Sequence, residues 1–276
     1  MGPLVFLCLL YGGCKEEHLE GDTYFGGKVM VLGHGGMGLG YIMPENTYES
    51  VKPAVDIGCD GCEIDVQISR DSVLVAYHDY DLPGKTSCVG RIIDFNWSAI
   101  RVCQYKSAPI LVQVYSLDDL FSRFDNLQDL YFSLDCKLES GRADQQEYEY
   151  RFMRAIKRLC EKYGMEDHVM IEGTSPFLDK AIELGMKNKL FLYTENEPDP
   201  VAPAKNKYAG ILHNEHLPAE DILRAHQNGL YVMLGAAGNY SENKACVERG
   251  ADIIQSDDPR TLLRLLRRYN YEYVRP

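Results

Sequence analysis

Two histidines and a small set of acids and one lysine, each near the end of a strand-like stretch, carry the chemistry available to this chain. Glu63-Ile-Asp65 lies in an alternating run from Cys62 to Ile68. Residues i and i+2 of a strand share a face, so both carboxylates project to one side. Two negative charges that close repel and raise a pKa unless a cation sits between them. An all-oxygen pair suits a hard divalent ion such as Ca2+ or Mg2+. His34 directly follows the apolar run Val29 to Leu32, and His78 stands in Ala76-Tyr-His-Asp79. Either histidine alone reads as a hydrogen-bonded structural residue. Two of them flanking one carboxylate pair read together as a general acid and a general base.

Leu134-Asp-Cys-Lys137 closes a later strand pattern with Asp135 and Lys137 on one face. Asp135 is expected to complete a metal site and Lys137 to hold a phosphoryl oxygen, with a simple rim salt bridge as the competing reading. Glu172 and Ser256-Asp257-Asp258 end other strand patterns and are weaker candidates. His213 and His216 lie beyond a strand end, where they read as solvated loop histidines, with the lining of a pocket as the alternative.

These residues need a scaffold that gathers strand ends. After an acidic segment, strand and helix patterns alternate to the end of the chain. Pro44-Glu-Asn-Thr47 is expected to open a helix that stops at Gly58. Residues 79–129 blur into a long excursion with a short helix near Leu117. Gln145 to Tyr163 forms an amphipathic helix with Phe152, Ile156 and Leu159 on one face and Gly164 as its stop. About eight strand positions with helices between most of them give an α/β (β/α)8 TIM barrel, with an open doubly wound sheet as the alternative. Active sites of such barrels lie at the C-terminal rim, where His34 falls. Gly33-His-Gly35-Gly-Met-Gly38 literally satisfies the dinucleotide-binding fingerprint. That fingerprint should open a helix, and this helix waits until Pro44, so the turn reads as a flexible rim loop.

The 276 residues, 45% apolar and 25% charged, describe a well-cored globular protein, and no charge-rich linker divides it. A net charge of -12 argues against nucleic acid as a partner. The same charge means that an anionic substrate needs a local cation. The opening MGPLVFLCLLYGGC is too short to span a membrane and resembles a bacterial lipoprotein leader, with Cys14 as the lipidated residue. Residues 1–14 are therefore expected to form a leader, 15–27 a tether, and 28–276 one catalytic domain. The product would be exported to the periplasm or held on a bacterial membrane by its lipid anchor. Beyond Cys8 and Cys14, seven scattered cysteines read mostly as small buried apolar residues.

His34-Gly, Pro44-Glu-Asn-Thr47, Gly61-Cys-Glu-Ile-Asp65-Val and His78-Asp79, in that order, resemble the glycerophosphodiester phosphodiesterase family over nearly the whole chain from Lys28. The resemblance implies a TIM barrel that hydrolyses small-molecule glycerophosphodiesters to sn-glycerol 3-phosphate and an alcohol, using a divalent metal. It implies that His34 and His78 are the acid–base pair and Glu63 and Asp65 are metal ligands. The family's third ligand is a Glu, for which this chain has Asp135. The family's Arg after the first His is Gly35 here, its Trp on the seventh strand is missing, and its closing Thr-Asp-x-Pro reads Ser256-Asp-Asp-Pro259. Two rivals remain: a related phospholipase D-like lyase acting on lysolipids or sphingolipids, and a non-catalytic glycerophosphodiester-binding protein.

Overall fold

The computed structural model describes residues 18–273. Strand β1 (Met30–Gly33) and strand β2 (Gly61–Ile68) flank helix α1 (Tyr48–Asp56). An excursion follows, containing β3 (Leu74–Ala76), α2 (Trp97–Ile100), β4 (Tyr115–Ser116) and α3 (Leu117–Phe121). The chain continues through β5 (Tyr131–Cys136), α4 (Gln145–Tyr163), β6 (Val169–Gly173), α5 (Ser175–Glu183) and β7 (Lys189–Tyr193). It ends with β8 (Gly210–Asn214), α6 (Ala219–Gln227), β9 (Tyr231–Ala237), α7 (Tyr240–Arg249), β10 (Ile253–Ser256) and α8 (Pro259–Leu265).

Eight of these strands, all but β3 and β4, run parallel, and β1 closes the ring by pairing with both β10 and β2. The fold is the (β/α)8 barrel. Strands β3 and β4 extend β2 antiparallel, outside the ring. Of the connections between consecutive ring strands, only β7–β8, among the described residues, lacks an α-helix.

Every residue of β2 is buried, because its outward face meets helices and its inward face meets the barrel interior. Cys62, Ile64, Val66 and Ile68 join the apolar layer beneath the helices. Leu32, Met170, Phe191, Leu212, Met233 and Ile253 fill a separate apolar cluster. Alternation leaves Glu63, Asp65 and Gln67 on the other face of β2. Helix α4 buries Phe152, Ile156 and Leu159 and stops at Gly164, whose φ of 63° is the left-handed cap.

Pro44–Thr47 does not form the first turn of α1. It is a bend in which Asn46 takes a φ of 63° and Thr47 Oγ1 donates to the Pro44 carbonyl at 2.6 Å. The reason lies in the site: Asn46 turns back toward β2. Of residues 18–27, Leu19 N donates to Leu265 O, and Asp22 forms a bridge with Lys28.

Cysteine usage departs from the sequence reading at one pair. Cys59, Cys62, Cys136, Cys160 and Cys246 are buried free thiols, but Cys88 and Cys103 form a disulfide across the excursion. The bond spans 15 residues, and closing a loop of that length is worth about 3 kcal/mol by chain entropy. Cys88→Ser is therefore expected to loosen residues 79–114 while the barrel stays folded. Limited proteolysis checks this: cleavage within the excursion should quicken, and unchanged cleavage would show that the disulfide does not hold it together.

Candidate active site

Barrel register gathers the acids. Asp65 on β2 lies opposite Asp135 on β5, so the two carboxylates meet although seventy residues of sequence part them. Glu63, Asp65 and Asp135 each place an oxygen within 4.8 Å of the others. Glu63 and Asp65 are 1% and 3% exposed, and each is held in place. Asn46 donates to Asp65 Oδ2 at 2.7 Å and accepts from the Asp65 backbone N–H at 2.9 Å. The Gly35 N–H donates to Glu63 Oε2 at 2.9 Å, and the Tyr193 hydroxyl donates to Asp135 Oδ1 at 2.6 Å.

Lys137 offsets part of this charge, lying 2.9 Å from Asp65 Oδ1 and 2.5 Å from Asp135 Oδ2. Its contact with Asp65 Oδ1 is ionic, without the geometry of a hydrogen bond. Burial opposes its charge, yet the two aspartates outweigh that and hold it protonated. Glu63 faces only the more distant His34 ring: burial, then Asp65, outweigh that ring's charge and push the Glu63 carboxyl well above the usual range, and Oε1 is buried without a hydrogen bond. Glu172, next to this group, is pushed to about 7 by burial and Asp135, against hydrogen bonds from Ser133 and Gln255.

An orphaned carboxylate oxygen within a converging, largely buried triad is what a hard divalent cation satisfies. The residues present fit such an ion. The shorter Asp135 still converges, because its register opposite Asp65 brings the two backbones together.

Both histidines are aimed by an aspartate. His34 Nδ1 lies 2.8 Å from Asp257 Oδ1, and His78 Nδ1 lies 2.7 Å from Asp79 Oδ1. In each ring this leaves Nε2 for a reacting group; His34 Nε2 is 3.7 Å from Glu63 Oε2. Burial disfavours a charge on His34, but the Asp257 hydrogen bond and the Glu63, Asp257 and Asp65 charges prevail and lift it to about 10. Asp257 reaches His34 through strand register: Gly33 pairs with Ser256, so the next residues of the two strands are neighbours.

A cleft of about 220 Å³ opens beside this group, lined by His34, Asp135, Glu172, Tyr193 and His213 among others. His213 is therefore a half-buried strand residue lining the cleft, not a solvated loop histidine, whereas His216 lies exposed beside Glu215. Cys14 lies outside the described residues.

The Gly-rich turn is tight, not loose. A Cβ on Gly38, whose φ is 87°, would stand 2.0 Å from the Asp257 carbonyl oxygen, so its absence lets the turn seat against Asp257. Gly35 has a φ of 58°, and a Cβ there would meet the Glu45 Cβ at 2.8 Å. Gly35→Arg is accordingly expected to destabilise the fold by ~1–3 kcal/mol through left-handed strain alone, and to add no activity. A thermal melt and a rate measurement decide it; a stable, faster variant would contradict this geometry.

The glycerophosphoryl diester phosphodiesterase family model matches residues 37–261. A glycerophosphodiester phosphodiesterase of Caldanaerobacter subterraneus is 25% identical over 248 residues, covering 87% of this chain and 99% of the relative. Among solved structures, a putative glycerophosphodiester phosphodiesterase of Galdieria sulphuraria superposes with a TM-score of 0.74 at 22% identity, over 87% of this chain and 98% of its own. An Oleispira antarctica phosphodiesterase, in complex with the product sn-glycerol-3-phosphate, superposes with a TM-score of 0.71 at 17% identity, over 86% and 96% of the two chains.

Proposed function

Because the chain belongs to the glycerophosphoryl diester phosphodiesterase family, we propose that it hydrolyses glycerophosphodiesters to sn-glycerol 3-phosphate and an alcohol, with a divalent metal and a histidine pair. One observation carries this reading. Three converging carboxylates, one oxygen of them orphaned, stand with two histidines whose Nδ1 atoms are each fixed by an aspartate.

Glu63, Asp65 and Asp135 would hold the cation, Ca2+ or Mg2+. When bound, it supplies positive charge that polarises a phosphoryl oxygen and offsets charge developing in the transition state. The protein's own groups do the rest. Lys137 Nζ, adjoining two of these acids, is placed to bind a second phosphoryl oxygen. One histidine takes the proton of the attacking hydroxyl at Nε2, and the other gives a proton to the departing alkoxide. Asp257 and Asp79 keep the rings oriented and stabilise the charged imidazolium of whichever ring holds the proton. Asn46 and Tyr193 keep Asp65 and Asp135 from turning away.

A panel of glycerophosphodiesters, incubated with metal and with chelator, tests the reading. Glycerol 3-phosphate released only with metal is expected. Cyclic phosphate in its place would identify a lyase, and binding without turnover a non-catalytic protein.

For the remaining organisation, we read residues 28–276 as one catalytic domain, 15–27 as its tether and 1–14 as a lipoprotein leader ending at Cys14. Export is supported by the Cys88–Cys103 disulfide, since such bonds persist in oxidising compartments. Fractionation of expressing cells tests the anchor: Cys14→Ser should release the protein from membranes, and unaltered partitioning would dismiss it.

A further inference from the structure

Of the two histidines, His78 is the one that barrel closure does not place. It follows β3, an antiparallel strand outside the ring, and its side chain is 48% exposed. Gln67 fixes the backbone on either side, donating to the Tyr77 and Asp79 carbonyls at 3.0 and 2.6 Å. The imidazole itself, among the described residues, has Asp79 Oδ1 as its polar partner. The aim of this ring is therefore only as good as the aim of the Asp79 carboxylate.

The two aspartates that hold the histidines are themselves held differently. Asp257 Oδ1, which takes His34, also accepts the Leu39 backbone N–H at 3.2 Å. No backbone N–H donates to the Asp79 carboxylate among the described residues. Its second partner is Lys85 Nζ, 3.1 Å from the same Oδ1 that takes His78. Burial works against the Asp79 charge, but His78 and Lys85 outweigh it and keep the carboxyl below its usual range.

Lys85 is anchored from two sides. Its ammonium also lies 2.5 Å from Glu45 Oε1, on the loop after β1. Glu45 packs against Gly35, whose N–H holds Glu63, and the next residue, Asn46, holds Asp65. On the excursion side, the Lys85 carbonyl accepts the Lys106 N–H at 2.9 Å. Thr86 is buried and donates from Oγ1 to the Leu82 carbonyl at 2.8 Å, and the Cys88–Cys103 disulfide closes the same turn. An ion pair between solvated side chains contributes little, because both must be ordered to make it. Here the partners are already ordered, and the bridge runs from the loop that supports the metal-binding acids to the aspartate that aims His78.

We propose that Lys85 is a positioning residue for the reaction, bridging Glu45 and Asp79 so that His78 keeps its bearing on the acids of β2 and β5. This rests on the phosphodiesterase reading of the site. Lys85 touches no reacting atom and acts through Asp79. Without it the carboxylate can turn, the half-exposed imidazole follows it toward solvent, and Nε2 meets the reacting oxygen in fewer encounters. Misplacement of a catalytic group by about 1 Å is enough to cost ~100-fold in rate.

The test measures kcat and KM of the metal-loaded full chain on glycerophosphocholine, with melts on the same samples. Lys85→Met keeps the stem and removes the charge, and kcat is expected to fall ~10–100-fold with KM and the melting midpoint little changed. Lys85→Arg can still serve both carboxylates and should restore most of the rate. Because the lysine acts through Asp79, the Lys85→Met/Asp79→Asn double variant should be no slower than Asp79→Asn alone. Glu45→Gln placed on Lys85→Met leaves no carboxylate unpaired beside Gly35, and the rate should stay low. An unimpaired Lys85→Met, a loss carried by KM, or an Arg variant as slow as Met overturns the proposal. So do factors that multiply in the Asp79 double variant, or recovery on adding Glu45→Gln, which would trace the loss to a stranded Glu45. A wild type that releases no glycerol 3-phosphate overturns the phosphodiesterase reading and this inference with it; a working wild type with an unimpaired Lys85→Met overturns this inference alone.

Discussion

Replacing His78 with alanine is expected to lower kcat on glycerophosphodiesters by ~10²–10⁴, and His34→Ala by a similar factor, the usual worth of a positioned acid or base. Each ring already spends Nδ1 on an aspartate, so alanine removes the only nitrogen free for the substrate and leaves Asp257 with the Leu39 N–H and Asp79 with Lys85. His78 is largely exposed and His34 lies at the rim, so neither substitution opens a cavity in the core. Thermal midpoints should therefore move little while kcat falls. Groups acting in one step are not additive, so the double variant should be about as slow as the slower single one. Saturating-substrate rates, with melts on the same samples, check all three; a single variant retaining most of its turnover would take that histidine out of the mechanism.

Glu63→Gln is expected to abolish metal-supported turnover, by ~10³-fold or more, because it removes a ligand charge worth several kcal/mol in the transition state. The chelated protein should respond in the opposite direction and become more stable. Burial and Asp65 raise the Glu63 pKa well above 4.5, so between that value and the folded-state pKa the native protein binds more protons than the unfolded one. Stability of the metal-free wild type must then fall as pH rises through this window. The substituted amide has no charge to bury and its side-chain oxygen can still accept from the Gly35 N–H, so the fall should be smaller in the variant. Melting curves from pH 4.5 to 8 in chelator check the sign; a steeper loss of stability in the variant would contradict the electrostatic picture.

How far the site can be read from the chain follows from which residues act locally. Glu63 and Asp65 are legible because strand alternation alone puts i and i+2 on one face, and His34 and His78 because each sits at the end of an apolar run. Asp135 is placed by its own strand pattern and by family resemblance, but its convergence with Asp65 depends on the β2–β5 register. The Asp257 partnership is hidden for the same reason, since the contact is made by the β1–β10 closure between two chain ends. Asn46 reads in sequence as part of a helix start, and only the bend at Pro44–Thr47 reveals it as the residue that fixes Asp65. The Gly-rich turn suggests flexibility, whereas close approach to Asp257 and Glu45 is what demands glycine. Seven scattered cysteines allow many pairings, so the Cys88–Cys103 bond has no sequence signal. The barrel itself is readable because alternating strands and helices repeat the same local pattern along the chain.

The central claim is that Glu63, Asp65 and Asp135 hold a divalent cation on which turnover depends. It is tested most directly by stripping the protein with chelator and titrating Ca2+ or Mg2+ back while following both bound metal and release of glycerol 3-phosphate. Activity should be absent from the stripped protein and return in step with one ion bound per chain, and Glu63→Gln should show neither. Full turnover in the stripped protein, or wild-type metal binding by Glu63→Gln, would contradict it.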